Sequence, residues 1–401
     1  MNVFVIPFWY PSSDYPLNGI FIKEQLQAVC RYDSSVKIGV GLWGQKDERY
    51  LLWLKDHFRN LQKLKLADTK PFSRTILPNY KEFHHPTFTW TRKLLHGNRQ
   101  GILKAMLANL DRFENDFGPA DFIHAHVGEV AGQLAMELAR RRKLPYIITE
   151  HMGPFPGYYA SDKIGNLTPT YLKPYLNAVA NIAVSPFLEQ EMKRQSISRT
   201  IVIPNFVDED VFKPVLKQRN KSFTFFTLAR ITSEKGIDTL LHAIKLVREK
   251  MQDIKFTIGG DGKHLQDFKD LAEMLGISDC IEWLGELNRE EAVRQLQECD
   301  TFVLPSHYES FGVVYAEAIA CGKPVIATRC GGPESIVNDT NGLLVEVNNP
   351  QALAEAMSDM VKNYNRYDSA AIREDFMNRF SKKAIVPQLM QLYKIIITRI
   401  L

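Results

Sequence analysis

Long apolar runs are missing from this sequence: no stretch approaches the roughly 18 consecutive apolar residues of a membrane-crossing helix. The opening MNVFVIPFWYPSSDYP has no basic lead-in and no extended apolar core, so it reads as a short strand ending in turn residues and not as a secretory leader. Cysteine is scarce. Five are scattered at Cys30, Cys280, Cys299, Cys321 and Cys330, an odd number without a CxxC pair, which excludes a zinc ribbon, a thioredoxin-type redox motif and a disulfide scaffold. They read as buried thiols in a reducing compartment. Excess charge is also small: 50 basic against 46 acidic residues leave a formal +4, too little for a nucleic-acid-binding domain. These absences together lead us to expect a cytoplasmic protein with no nucleic-acid partner, peripheral to the inner face of a membrane at most.

What is present suffices for two hydrophobic cores, since the chain has 401 residues and 45% apolar content. Short β-branched runs alternate with helical patterns: VFVIPF, IFIKEQLQAVCRY, KIGVGL, then DFIHAHV, EVAGQLAMELARRR and PYIITE. That alternation predicts βα units in a parallel sheet. After TIVIPN at 200–205 comes a polar stretch, KPVLKQRNKS, which reads as a linker. A second series follows, with strands FTFFTLA, IKFTIGG, DCIEWLG, CDTFVLP and KPVIAT separated by helical segments. We therefore expect an α/β chain of two doubly wound, Rossmann-like halves. The first spans 1–205 and is completed by the C-terminal helical segment 381–401, which has no strand after it; the second spans 206–380.

Residues 43–100 lack clean periodicity. Within them RYLLWLKDHFRNLQKLKL, residues 49–66, sets Leu51, Leu54, Phe58 and Leu61 at helical spacing among Arg49, Lys55, Arg59, Lys63 and Lys65. Two readings stay open for this basic amphipathic pattern: a stripe packed on the first domain, or a peripheral contact with an anionic membrane surface, to which ARRRKLP would add three arginines.

Ligands of open α/β sheets sit outside the carboxyl ends of the strands, so site residues should directly follow strands. In HYESFGVVYAEA, residues 307–318, Glu309 precedes a helix expected to start near Gly312, and Glu317 lies inside it. A helix start presents unpaired N–H groups to a phosphate, a glycine lets the ligand approach, and a carboxylate one turn on can accept two hydroxyls of a ribose. The plainer alternative is a cap and a solvated face. Arg230 and Lys235 are the only basic residues of LARITSEKG, again just after a strand, and suit a diphosphate. GGDGKH, residues 259–264, reads as a turn. Asn18 and Gly19 sit in the first βα loop; His124 and His126, and then Glu150 with His151, end two further strands.

Together these stretches carry a resemblance. HYESFGVVYAEA followed by IACGKPVIATRCGGPESIV resembles the glutamate, seven residues, glutamate motif of the retaining glycosyltransferases of family 4, supported by LARITSEKGIDTLL, IPNFVD and DFIHAHV in the family's order. The chain departs from it at Asn18, where the family often has a second glycine, and at Phe206. The resemblance implies the GT-B fold, two Rossmann-like domains facing across a cleft, and transfer of a sugar from a nucleotide-diphosphate sugar to a glycan or lipid-linked acceptor. It implies that Arg230 and Lys235 hold the diphosphate, that Ser310, Phe311, Gly312 and Val313 contact sugar and phosphate through their backbone, and that Gly19 admits the donor phosphate. Glu309 would then hold the sugar hydroxyls, Glu317 the ribose, and His126 the sugar from the first domain. No metal and no cofactor beyond the donor substrate is implied. Two alternatives remain at this stage: a nucleotide-sugar epimerase of the same architecture, and a non-catalytic nucleotide-sugar-binding module.

Overall fold

Runs of Val, Ile, Phe and Ala buried on both faces make the strands of two separate parallel sheets, as expected when helices cover each side. The computed structural model describes residues 1–45, 47–53, 56–90, 97–158, 160–215 and 222–398. By internal contacts the chain divides into a first unit, Met1–Val184 with Glu189–Ile203 and Val386–Leu401, and a second unit, Ser185–Leu188 with Pro204–Ile385. Of the stretch 213–222 expected as a linker, residues 216–221 lie outside the described residues, and the division falls after Ile203 instead.

The first unit holds β1 (Asn2–Pro7), β2 (Lys37–Leu42), β3 (Phe72–Leu77), β4 (Tyr80–His84), β5 (Phe122–His126), β6 (Tyr146–Glu150), β7 (Ala180–Ala183) and β8 (Thr200–Val202). Their order is β3-β4-β2-β1-β5-β6-β7-β8, parallel throughout except that β3 runs antiparallel to β4. The chain therefore winds outward from β1 in both directions, and the β1/β5 boundary is the switch point where a ligand crevice forms. Residues Gly39 to Gly44 happen to match the G-x-G-x-x-G spacing, but they lie in and just after β2. A Cβ on Gly39 would fall 2.2 Å from the Phe113 ring, and one on Gly41 2.6 Å from Phe4, so these glycines admit core rings and not a phosphate. In the C-terminal helix Lys382–Thr398, Tyr393 is fully buried, its hydroxyl 2.7 Å from His124 Nδ1 and its ring 5.0 Å from that of Phe122.

Residues 49–66 do not form one helix. Asp47 accepts the Arg49 N–H and opens a short 3-10 turn, Glu48–Tyr50; Leu51 bridges to Thr89; and Asp56, accepting from Arg59 N at 3.0 Å, caps a separate helix, His57–Leu66. Leu54 and Lys55 of the expected stripe lie outside the described residues. No residue of the His57–Leu66 helix is buried, so its apolar side is not packed on a core.

The second unit holds β9 (Phe223–Leu228), β10 (Ile254–Gly259), β11 (Ile281–Gly285), β12 (Thr301–Leu304), β13 (Val325–Thr328) and β14 (Gly342–Val345), all parallel, in the order β11-β10-β9-β12-β13-β14. Counted from β9 this is the doubly wound order 3-2-1-4-5-6, with its switch point between β9 and β12.

Candidate functional site

In the second unit the two loops flanking the switch point are locked together by backbone. Gly236 follows Lys235 in the left-handed region (φ 64), and a Cβ there would fall 2.0 Å from the carbonyl oxygen of Pro305 after β12. Only glycine permits both the conformation and the approach. His307 N donates to the Glu234 carbonyl at 2.8 Å. The loop after β13 joins from the other side: Glu309 N donates to Cys330 O (3.3 Å), Gly332 N donates to Glu309 O (2.8 Å), and Gly332 leaves no room for a Cβ beside the Phe311 backbone.

This scaffold brings Lys235 and Glu309 together. Lys235 Nζ stands 2.7 Å from Glu309 Oε1, which also accepts the Ser306 hydroxyl at 2.8 Å. The helix Val313–Ala320 starts at Gly312 (φ 87), whose missing Cβ makes room for the buried ring of Tyr315; the Tyr315 hydroxyl is anchored on Leu304 O at 2.8 Å. Tyr315 N bonds Gly312 O at 3.1 Å, whereas the N–H groups of Val313 and Val314 open the helix without an intrahelical acceptor, so donors suited to a phosphate lie four and five residues along the chain from Glu309. Phe311 is buried against Phe380, so only its backbone can meet a ligand, and Ser310 O accepts the Ser185 hydroxyl at 2.5 Å. Arg230 extends from the β9 loop with an exposed guanidinium. Glu317, within the helix, lies 4.0 Å from Arg289, whose guanidinium stacks 4.8 Å from the Phe212 ring.

Sequence reasoning missed Ser306, Arg289 and the Gly331–Gly332 turn. Arg289 carries no motif of its own, and the Gly331–Gly332 turn, although inside the family-like stretch IACGKPVIATRCGGPESIV, was given no role there. GGDGKH is a turn with a role: a Cβ on Gly260 or Gly262 would strike the carbonyl oxygens of Ala229 and Ile231, so its glycines let the β10 loop pack on the Arg230 loop. An Asp-x-Asp run does occur, Asp208-Glu209-Asp210, but Lys382 Nζ lies 2.7 Å from both aspartates and its N–H bonds Glu209. Among the described residues no three His, Cys, Asp or Glu side chains gather to hold a metal ion.

In the first unit, Gly19 caps the helix Ile20–Tyr32 with φ 72, its α-carbon tight against the Trp9 carbonyl. His126 ends β5 at the switch point. It is fully buried, stacked between His124 and His151, with Nδ1 3.0 Å from His151 Nε2 and its own Nε2 without a partner among the described residues. Burial holds His124 and His151 down to about 3 and His126 well below the usual imidazole range, so all three are neutral at neutral pH. A sugar can reach His126 only if this burial is relieved. Glu150 serves a structural purpose: its carboxylate accepts the N–H groups of Gly128 (2.9 Å), His151 (2.8 Å) and Met152 (2.6 Å) and the Tyr175 hydroxyl, binding the β5 and β6 loops together. Burial nonetheless pushes its pKa up.

Residues 208–382 match the family described as Glycosyl transferases group 1, and residues 69–211 match Glycosyltransferase Family 4. An uncharacterised glycosyltransferase of Methanocaldococcus jannaschii is 30% identical over 278 residues, 68% of this chain and 75% of that protein. A D-inositol 3-phosphate glycosyltransferase of Arthrobacter sp. is 29% identical over 315 residues, 71% of either chain. Among solved structures, sucrose-phosphate synthase of Thermosynechococcus elongatus is similar over 100% of both chains, with a TM-score of 0.76 at 19% identity. Anabaena HepE, solved with UDP and glucose, is similar over 98% of this chain and 99% of its own, with a TM-score of 0.66 at 17% identity. On this likeness in sequence and in fold, the chain belongs to glycosyltransferase family 4 and has the GT-B fold.

Proposed function

We propose that this glycosyltransferase moves a sugar, with retention at the anomeric carbon and without a metal ion, from a nucleotide-diphosphate sugar to a glycan or lipid-linked acceptor at the cytoplasmic face of a membrane. The observation that carries the reading is the Lys235–Glu309 pair at the β9/β12 switch point, beside the helix start at Gly312. In the absence of ligand each neutralises the other. A diphosphate would take over Lys235, with Arg230 as second cation, and would free Glu309 to accept sugar hydroxyls. Glu317 faces the ribose, the N–H groups of Ser310 to Val313 face sugar and phosphate, and Gly19 and His126 are the first unit's contribution. The bond from the anomeric carbon to the phosphate oxygen breaks as the acceptor oxygen bonds the same face. The acceptor's proton passes to the departing phosphate oxygen, so no protein nucleophile is required.

One of the similar solved structures accords with this donor class: HepE was solved with UDP and glucose. The cytoplasmic assignment is supported by five cysteines that are all free and buried. Membrane attachment through the exposed, basic helix His57–Leu66 belongs to the same reading. Among the described residues no helix is long and apolar enough to cross a membrane. The test is calorimetric titration with UDP, GDP and ADP in EDTA: one nucleoside diphosphate should bind with full affinity without metal. Absence of binding by all three, or binding only after magnesium is restored, would overturn the donor assignment or its metal independence respectively.

A further inference from the structure

The Glu309 carboxylate is held by one of its two oxygens. Oε1 accepts Lys235 Nζ at 2.7 Å and the Ser306 hydroxyl at 2.8 Å, whereas Oε2 accepts no hydrogen bond from the described residues. The two partners differ in what a ligand can do to them. Lys235 keeps 24% of its side chain exposed, and its charge is one that a diphosphate can claim. Ser306 is fully buried, so its hydroxyl is out of reach of that competition.

Ser306 is itself fixed from several sides. The carbonyls of Leu304, Pro305 and Ser306 each lie against another segment: the Tyr315 hydroxyl donates to the first at 2.8 Å, Gly236 packs on the second so closely that a Cβ would fall 2.0 Å from it, and the buried Thr328 hydroxyl donates to the third. The Ser306 hydroxyl therefore has a set position. Glu309 is fixed only at its backbone, by the bonds to Cys330 O and from Gly332 N. Three side-chain dihedrals separate that backbone from the carboxylate, and a carboxylate without partners would spread over several rotamers. A buried hydroxyl needs an acceptor, and this one spends its single proton on the side chain whose aim is otherwise loose.

We infer that Ser306 is a positioning residue for sugar transfer: it keeps hold of Glu309 Oε1 once a donor diphosphate has drawn Lys235 away, and so leaves Oε2 set to accept a hydroxyl of the sugar. The inference rests on the donor assignment and adds to it the group that keeps Glu309 aimed when its lysine is taken. The diphosphate is bound by Arg230, Lys235 and the helix start, none of which needs the Ser306 hydroxyl. Ser306 should therefore register in turnover and not in nucleotide affinity.

Ser306→Ala tests this, since it removes one oxygen and cannot overcrowd the buried site. Turnover is followed as nucleoside diphosphate release from UDP-glucose, GDP-mannose and ADP-glucose, using whichever the unaltered chain consumes, and affinity for the matching nucleoside diphosphate is measured by calorimetry. The kcat should fall roughly tenfold or more, as for a lost hydrogen bond to a charged group, while nucleoside diphosphate affinity stays within about twofold. Made in a Glu309→Ala chain, the same substitution should change kcat by less than about twofold, because a residue that acts through Glu309 has nothing left to position. Unchanged kcat, a nucleoside diphosphate affinity that falls in step with kcat, or the full loss repeated in the Glu309→Ala chain would overturn the inference. The two readings fail separately: an unaltered chain that binds none of the nucleoside diphosphates and consumes none of the three donors sinks the donor assignment and the inference with it, whereas normal binding and turnover that Ser306→Ala leaves intact sinks the inference alone.

Discussion

At the scale of single residues, the Lys235–Glu309 pair makes opposite predictions for its two members. Lys235→Ala should weaken binding of the matching nucleoside diphosphate by roughly 10- to 150-fold, the range of about 1.5 to 3 kcal/mol for a hydrogen bond to a charged group. Glu309→Gln removes the carboxylate that competes with phosphate for Lys235. It should leave nucleoside diphosphate affinity unchanged or tighter while turnover falls, because the sugar hydroxyls lose their acceptor. Glu317→Ala should show the reverse, weaker nucleotide binding as the main defect. Calorimetry beside steady-state kinetics separates the three; matching defects in Glu309→Gln and Glu317→Ala would refute the division of roles. The two glutamates and Lys235 were legible in sequence because each follows a strand at a fixed offset. Ser306 and Arg289 were not, since a serine in a loop or an arginine opening a helix carries no signal until another chain segment is folded against it.

At the scale of elements, the ends of β5 and β6 bury three imidazoles in one stack, and this has a pH consequence. Burial lowers all three in the folded chain, while an unfolded histidine titrates near the ordinary 6.5. Their contribution to stability is therefore complete above about pH 6.5 and is lost as pH falls toward the folded values, because the unfolded chain takes up protons that the folded chain excludes. With three protons at stake the slope reaches about 4 kcal/mol per pH unit. Urea midpoints should fall steeply from pH 7 to 5, above the range where ordinary exposed carboxylates titrate, and His151→Gln should flatten the slope by about a third. A midpoint flat over that range would show that the stack opens to water.

The elements themselves were legible in proportion to their burial. β5 (FIHAH) and β6 (YIITE) are buried at every position and rich in Ile, Phe and Tyr, and sequence located them directly. β3 and β4 were missed: β3 is an exposed edge strand, FSRTIL, whose alternation is broken by charge and hydroxyl, as edge strands require. The 49–66 pattern misled because its apolar spacing starts inside a 3-10 turn capped by Asp47 and runs through a second cap, Asp56, and local side-chain bonds to the backbone there outweigh the periodicity.

At the scale of the whole molecule, two doubly wound sheets followed from the alternation of βα units, whereas what the surface does could not be read from pattern alone. An amphipathic stripe ordinarily means a face packed on a core. Here the His57–Leu66 helix leaves Phe58 75% and Leu66 82% exposed, with Leu61 and Leu64 also exposed and Arg59 and Lys65 standing exposed among them. Leaving four large apolar side chains in water forgoes about 1.5 kcal/mol or more for each, unless something covers them. An interfacial helix on an anionic leaflet would bury the apolar side and pair the cations, each worth about 1 kcal/mol near the surface, and would bring a lipid-linked acceptor to the enzyme. The protein should therefore sediment with phosphatidylserine-containing vesicles at low ionic strength, stay in the supernatant with neutral vesicles, and be released by salt as charges are screened. Phe58→Ser with Leu61→Ser should cut sedimentation with the anionic vesicles at low salt without changing nucleoside diphosphate affinity, because both side chains are exposed and lie in the other unit from Lys235. Equal recovery in the supernatant with both vesicle types would remove membrane attachment from the reading and leave the donor chemistry untouched.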